Sequence, residues 1–433
     1  MTRLFHRGRD LPTAVSGEGC WITDAAGRSY LDAAGGALVA SIGHGDEGVA
    51  GALAGQASRI AYVHASAFTT APVEELAERL ARLLPMDDPR VFPVSGGSEA
   101  METALKAVRA YHLARGEPDR VIVISRELSY HGNTRGALAV SGRRSLRDPY
   151  LPWLTHSEKV PGVIEYRCPN PAHPEACATW HAERLEEAIL QIGPERVAAF
   201  VAEPIGGAAS GAAEPPSGYW EEVVAVCRRH GVLIVADEVM TGVGRTGAWF
   251  ASQHYGLRPD LVTMAKGLAG GYWPLGACAL SGQVARTIEG AFPHGFTFSH
   301  HAVGAAVALE VLRRIEEQGL VEAAARRGAR LLAGLTEALA DHPHVGDVRG
   351  RGLLVAIELV EDRETKRPFS RDRRIAESVT AAAKKEGLLV YPSSGCADGL
   401  NGDLLMYGPP LVITEEEVDT VVERTRLALG GLA

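Results

Sequence analysis

Three short stretches carry residue types that can act together in chemistry. Val94–Glu102, VSGGSEAME, sets two glycines and Ser98 ahead of a helical pattern. A helix N-terminus exposes unpaired N–H groups and partial positive charge, so such a turn can cup a phosphate. Gly97 would let the backbone approach the anion, and Ser98 could donate its hydroxyl. Val232–Val239, VLIVADEV, ends an apolar run in Asp237 and Glu238. The carboxyl ends of strands in open α/β sheets line ligand crevices, where a carboxylate can pair with a cationic ring nitrogen. Met264–Leu268, MAKGL, sets Lys266 at the tip of another apolar run. Taken singly, each stretch also reads as a capped turn, a surface acid pair or an ordinary strand end.

Only six of the 44 basic residues are lysines: Lys106, Lys159, Lys266, Lys366, Lys384 and Lys385. Lys106 lies on an amphipathic helical pattern, Lys159 in a Pro/Gly-rich loop, and the last three among charges. Lys266 alone combines an apolar approach with a strand-end position. A lysine desolvated there loses pKa and becomes a nucleophilic amine toward an aldehyde. A phosphate cup, an aspartate and a lysine at the ends of α/β strands are what pyridoxal phosphate requires.

The elements that must position these groups follow from pattern. Arg120–Ser125, Val197–Ala202, Val232–Ala236 and Leu261–Met264 are short runs apolar on both faces, which suits a parallel sheet covered by helices. Ser98–Arg115 and Gly218–His230 are amphipathic and read as helices. The alternation predicts an α/β fold with a mostly parallel central sheet, over residues 60–302. The flanks read as α+β. A hairpin is expected around Gly17–Leu31, turning at Asp24–Gly27. One long Ala/Leu/Arg helix should open residues 303–433, followed by a strand at Gly352–Leu359. Residues 1–59 and 303–433 are expected to fold together as one smaller domain.

Composition bounds the function classes. The chain has 433 residues, 46% of them hydrophobic, and a net charge of −9. A mildly acidic chain without a basic cluster argues against nucleic acid. No apolar run approaches the roughly 18 residues that suggest a membrane span. Residues 1–10 are polar, so no secretory signal is expected. Six scattered cysteines suit a reducing, cytoplasmic location.

The ordered motifs Tyr30–Gly36 (YLDAAGG), Ser95–Lys106 (SGGSEAMETALK), Tyr130–Gly132 (YHG), Ala202–Pro204 (AEP), Ala236–Gly247 (ADEVMTGVGRTG), Ala265–Gly267 (AKG), Thr297–His301 (TFSHH) and Pro409–Glu416 (PPLVITEE) span nearly the whole chain. Together they resemble the class III aminotransferases, within the fold type I pyridoxal phosphate enzymes. The resemblance implies a role for each matching residue. Gly97 and Ser98 bind the cofactor phosphate. Tyr130 and Val239 cover the two ring faces, with His131 and Glu203 beside them. Asp237 pairs with the pyridinium nitrogen, and Lys266 forms the Schiff base and moves the substrate proton. Thr297 matches a threonine that reaches the neighbouring subunit's phosphate, which implies a homodimer with shared sites. The implied reaction moves an amino group between an amine or ω-amino acid and a 2-oxo acid or other carbonyl acceptor. A decarboxylase, epimerase or carbon–carbon bond-forming enzyme of the same fold is the alternative, because the cofactor residues are common to all.

Departures from the family pattern bear on substrate. Ornithine- and aminobutyrate-type members carry a glutamate where Ala208 stands, and it gates a substrate-binding arginine. Many ω-transaminases place an arginine in the C-terminal loop near Val390–Ser394 and Met406–Pro409. Here no arginine lies between Arg374 and Arg424. Leu38, Met240, Trp273, His300 and Tyr391 are the expected pocket residues, and Val243 stands where phenylalanine is frequent. Finally, Cys168, His173, Cys177 and His181 fall within fourteen residues, ahead of a helix expected over 183–192. Zinc takes such ligands, but the spacing matches no zinc motif, so a Pro-rich surface loop with incidental cysteines and no metal is expected.

Overall fold

The computed structural model describes residue 5 and residues 11–432, so the reading of residues 1–10 lies, Phe5 apart, outside the described residues. A seven-stranded sheet forms the centre. Its spatial order is Arg90–Val94, Gly276–Leu280, Leu261–Met264, Leu233–Asp237, Val197–Ala202, Ile122–Arg126 and Glu158–Val160. All pairs are parallel except those of Gly276–Leu280, which runs against both neighbours. Val197–Ala202 and Leu233–Asp237 are buried at every position. On one face Val201 and Val235 pack with Met101, Ala104 and Val108 of helix Gly97–Ala114. On the other, Phe200 and Ile234 join Leu185, Trp220 and Val223. Helices on both faces explain why these strands show no polar alternation.

The expected strands and helices lie within one or two residues of those observed. Four differences have physical causes. The N-terminal hairpin is a three-strand meander, Ala14–Glu18, Trp21–Asp24 and Ser29–Asp32. Its second turn is the expected one, where Asp24 Oδ1 accepts from the N–H groups of Ala26 and Arg28 at 2.9 and 3.0 Å. The long C-terminal helix is two helices, Ala302–Glu317 and Leu320–Ala338, broken by Gly319 at φ +58°. The strand expected from Gly352 starts at Leu354, because Gly352, at φ +57°, belongs to the turn after its partner Val345–Arg351. The helix expected over 183–192 begins at Cys177.

The flanking segments meet. Strand Leu388–Leu389 pairs in parallel with Ser29–Asp32, Leu31 opposite Leu388. Val345–Arg351, Leu354–Leu359, Asp403–Tyr407 and Tyr391–Ser394 form a second antiparallel sheet in that order. Among the described residues no helix is long and apolar enough to cross a membrane.

Candidate active site

The carboxyl ends of four strands that share one direction open on a cavity of about 300 Å³. Val94 leads to the helix opening at Gly97, Ala202 to Glu203, Asp237 ends its strand, and Met264 leads to Lys266. Gly97, Ser98, Tyr130, His131, Glu203, Asp237, Val239, Met240, Lys266 and Trp273 all line this space. Gly97 packs closely. A Cβ there would stand 3.0 Å from Val239 Cγ1, so a larger residue would push the Val239 side chain back from the helix start by a few tenths of an ångström. Ser98 Oγ accepts from the N–H of Asn133 at 3.0 Å, which fixes the Tyr130–Gly132 turn against the helix end.

Asp237 is buried and held by three donors. His131 Nδ1 lies 2.7 Å from Oδ2, while Oδ1 accepts from Val239 N and Thr263 Oγ1, both at 3.1 Å. Against an ionised carboxylate, Nδ1 is the donor, and Oδ2 keeps acceptor capacity for another group. His131 Nε2 is buried and has no protein partner. Glu238 turns the other way. Its oxygens accept from Thr241 Oγ1, Ala251 N, Ser252 N and Ser252 Oγ at 2.6–2.9 Å, so it clamps the loop behind the strand. Of the two acids the sequence offered, geometry assigns Asp237 to the cavity.

Lys266 is half-buried, with a backbone φ of +47°. Burial of its amine brings its pKa down to about 8, against the opposing pull of Asp237. Glu203 is buried, and burial raises its pKa, countered first by His131 and then by Arg126. Its Oε1 accepts from Gly207 N at 3.2 Å. A lowered lysine pKa is not by itself diagnostic here. Lys159 lies in the edge strand Glu158–Val160 rather than in a loop, and burial brings it to about 7. Its Nζ donates to Ala139 O and Ser157 Oγ, both at 2.9 Å, and it does not line the cavity.

Other expected site residues lie elsewhere. Leu38 is buried in an apolar cluster with Ile205, Ala212 and Met406, and Tyr391 packs on the same cluster. Val39 lines the cavity instead of Leu38. Thr297 is exposed and His300 half-buried, and both line a separate cavity with His64 and Glu74. Val39, Ala265 and Thr263, the donor to Asp237, escaped the sequence reading. A hydroxyl inside the apolar LVTM run was the one available clue. Trp273 owes its place to Gly304, where a Cβ would stand 2.8 Å from the indole Cδ1. No arginine lines the cavity among the described residues.

The family model for aminotransferase class-III matches residues 7–429. The chain belongs to that family. A putrescine–pyruvate aminotransferase of Pseudomonas aeruginosa is 36% identical over 426 residues, covering 96% of this chain and 90% of the relative. A taurine–pyruvate aminotransferase of Rhodobacter capsulatus is 38% identical over 430 residues, covering 97% and 91%. The crystal structure of the ω-transaminase from Pseudomonas jessenii in complex with PMP superposes with a TM-score of 0.92 at 35% identity, covering 99% of this chain and 96% of that one. Class III aminotransferases depend on pyridoxal phosphate, and this member is an aminotransferase. That result favours transamination over the non-transaminating alternative.

Proposed function

We propose that this cavity holds pyridoxal phosphate and that the enzyme takes amino groups from amines or ω-amino acids. The observation that carries the reading is the convergence of Lys266, Asp237 and the Gly97–Ser98 helix start on one space whose wall, among the described residues, offers no arginine. When bound, the cofactor supplies an aldehyde that condenses with amines and a ring that withdraws electrons. The helix start at Gly97 and Ser98 would hold its phosphate. Asp237 Oδ2, with acceptor capacity left after His131, would hold the ring nitrogen's proton. His131 acts through Asp237, as a positioning residue. Tyr130 and Val239 would bound the ring, and Glu203 would hold neighbouring polar groups. Lys266 Nζ would attach the cofactor and, once freed, carry the proton from the substrate's amine-bearing carbon. Met240, Ala208, Val39 and Trp273 would shape the donor's space. With no arginine among the described residues to pair with an α-carboxylate, a diamine fits better than an α-amino acid. The test is a donor panel with pyruvate as acceptor. Turnover with diamines well above that with α-amino acids supports the reading, and the reverse order defeats it.

The lysine pKa predicts how the apoenzyme takes up cofactor. The neutral amine is the nucleophile, so uptake should rise with pH. At a pKa of about 8, roughly a tenth of the amines are neutral at pH 7 and roughly nine tenths at pH 9. Reconstitution rates, divided by the cofactor's rate constant with the neutral amine of free lysine at each pH, should therefore level off near pH 9. A rate still climbing at about pH 10 would point to a lysine of ordinary pKa.

We also propose a cytoplasmic homodimer, with residues 1–59 and 303–433 acting as one small domain beside 60–302. The pairing of Leu31 with Leu388 supports the latter. Thr297 would reach the phosphate of the partner's site, since it lies outside its own cavity beside exposed Tyr62, Phe68 and Phe298. Mixing Lys266→Ala chains with chains disrupted at Thr297 tests this. In a crossed dimer both lesions fall in one site and the other site is intact, so activity should return to about half the sites. If Thr297 served its own chain, each site would carry one lesion and no activity would return.

A further inference from the structure

Away from the cavity, the described residues bring one group of metal-ligating side chains together. Cys168, His173 and Cys177 hold their donor atoms within 4.8 Å of one another. Cys177 Sγ lies 3.4 Å from Cys168 Sγ and 3.2 Å from His173 Nδ1. His181 stands at the edge of these three, its Nε2 3.9 Å from Cys168 Sγ. In a tetrahedral zinc centre with two sulfurs and two nitrogens, bonds of about 2.3 and 2.0 Å place the ligand atoms roughly 3.3–3.8 Å apart. We propose that Cys168, His173, Cys177 and His181 form a structural zinc site, separate from the catalytic cavity and independent of the cofactor reading.

Two of the four residues lie on a helix and not, as expected, on the loop ahead of it. Cys177 opens the helix Cys177–Ile192 and His181 follows one turn later on the same face, and both are buried. The loop ahead of the helix folds back to supply Cys168 and His173. Asn170, itself buried, organises that return. Its Nδ2 donates to Glu175 O at 2.8 Å and reaches Cys177 Sγ at 3.5 Å, while its Oδ1 accepts from Ala172 N at 3.0 Å. An amide N–H aimed at a thiolate is the outer support that metal sulfur ligands use. Both cysteines are free. With His181 drawn in beside the three, four protein ligands would close the coordination sphere, which would make the site structural rather than catalytic. Each thiol would release its proton to water as the metal binds.

The site would anchor a brace. Arg167, next to Cys168, pairs with buried Glu358 of the second antiparallel sheet and donates from Nη1 to Lys366 O at 2.9 Å. Glu358 also pairs with Arg349 at 2.8 Å. Arg349 in turn donates to Ser210 O and Gly211 O, both at 2.7 Å, in the loop that carries Ala208 to the cavity wall. Zinc would pin the outer end of this chain to the helix Cys177–Ile192.

The experiment measures metal in the untagged, cofactor-loaded enzyme, purified without chelator and with thiols alkylated at lysis for peptide mapping of a parallel sample. About one zinc per chain is expected. Cys168→Ser and Cys177→Ser should each lower it at least about tenfold, while His156→Ala, at an exposed histidine, should leave it unchanged. Because either serine variant could unfold, the unmutated enzyme is also stripped under reducing conditions and reloaded with Co(II). A thiolate-to-cobalt charge-transfer band with the intense visible bands of tetrahedral cobalt is the expected signature. Zinc that persists in both variants overturns the proposal. So does recovery of Cys168 and Cys177 as a disulfide, or the absence of both zinc and the cobalt spectrum.

Discussion

Lys266→Ala should lower turnover by at least about five orders of magnitude, a loss comparable to removing a covalent nucleophile from other enzymes. The proposed mechanism asks one amine for two tasks, attaching the cofactor and moving the substrate proton, and no neighbour can replace it. Lys159 has a comparably lowered pKa, but its amine is tied to Ala139 O and Ser157 Oγ outside the cavity. The fold should survive. Burying the Lys266 amine works against its charge, so alanine removes a desolvation cost and leaves the backbone conformation as strained as before. The variant's melting temperature should equal or exceed that of the unmutated enzyme. Borohydride reduction of the loaded enzyme followed by peptide mapping checks the attachment. Label on any lysine other than Lys266 would refute the assignment.

Asp237→Asn is the second large effect. The substitution keeps the shape and most of the bonding. The amide oxygen can still accept from Val239 N and Thr263 Oγ1, and its NH₂ can face His131 in the tautomer that accepts at Nδ1. The negative charge is lost at the point where a protonated ring nitrogen would sit. Activity should fall by at least about two orders of magnitude, while cofactor binding persists through Lys266 and the helix start. Rates are compared at saturating cofactor, with loading read from the chromophore. Near-normal rates would mean that another acid holds the ring. Glu238 is not available for that role, because its oxygens are already committed to Thr241, Ala251 and Ser252.

The sequence determined the parts of this enzyme that local pattern encodes. Continuous apolar runs identified Val197–Ala202 and Leu261–Met264 as buried strands to the residue, because burial on both faces leaves no polar alternation to misread. Gly97, Ser98, Asp237 and Lys266 were legible because each sits where a strand ends or a helix begins, and such ends carry their own residue types. Tertiary structure decided whatever depends on segments far apart in the chain. The edge strand Arg90–Val94 is broken by Pro93 and the reversed strand Gly276–Leu280 is mostly glycine and alanine, so neither announces itself, and pairing fixes them, the first with the second and the second also with Leu261–Met264. The His131–Asp237 contact joins residues 106 apart. Which of Leu38 and Val39 faces the cavity depends on the packing of a kinked turn with Gly36 at φ +68°. The same reason separates the two readings of Cys168, His173, Cys177 and His181. Their spacing follows no repeat that sequence can recognise, and only the fold-back of the loop onto its helix brings Cys168, His173 and Cys177 into one cluster with His181 beside Cys168.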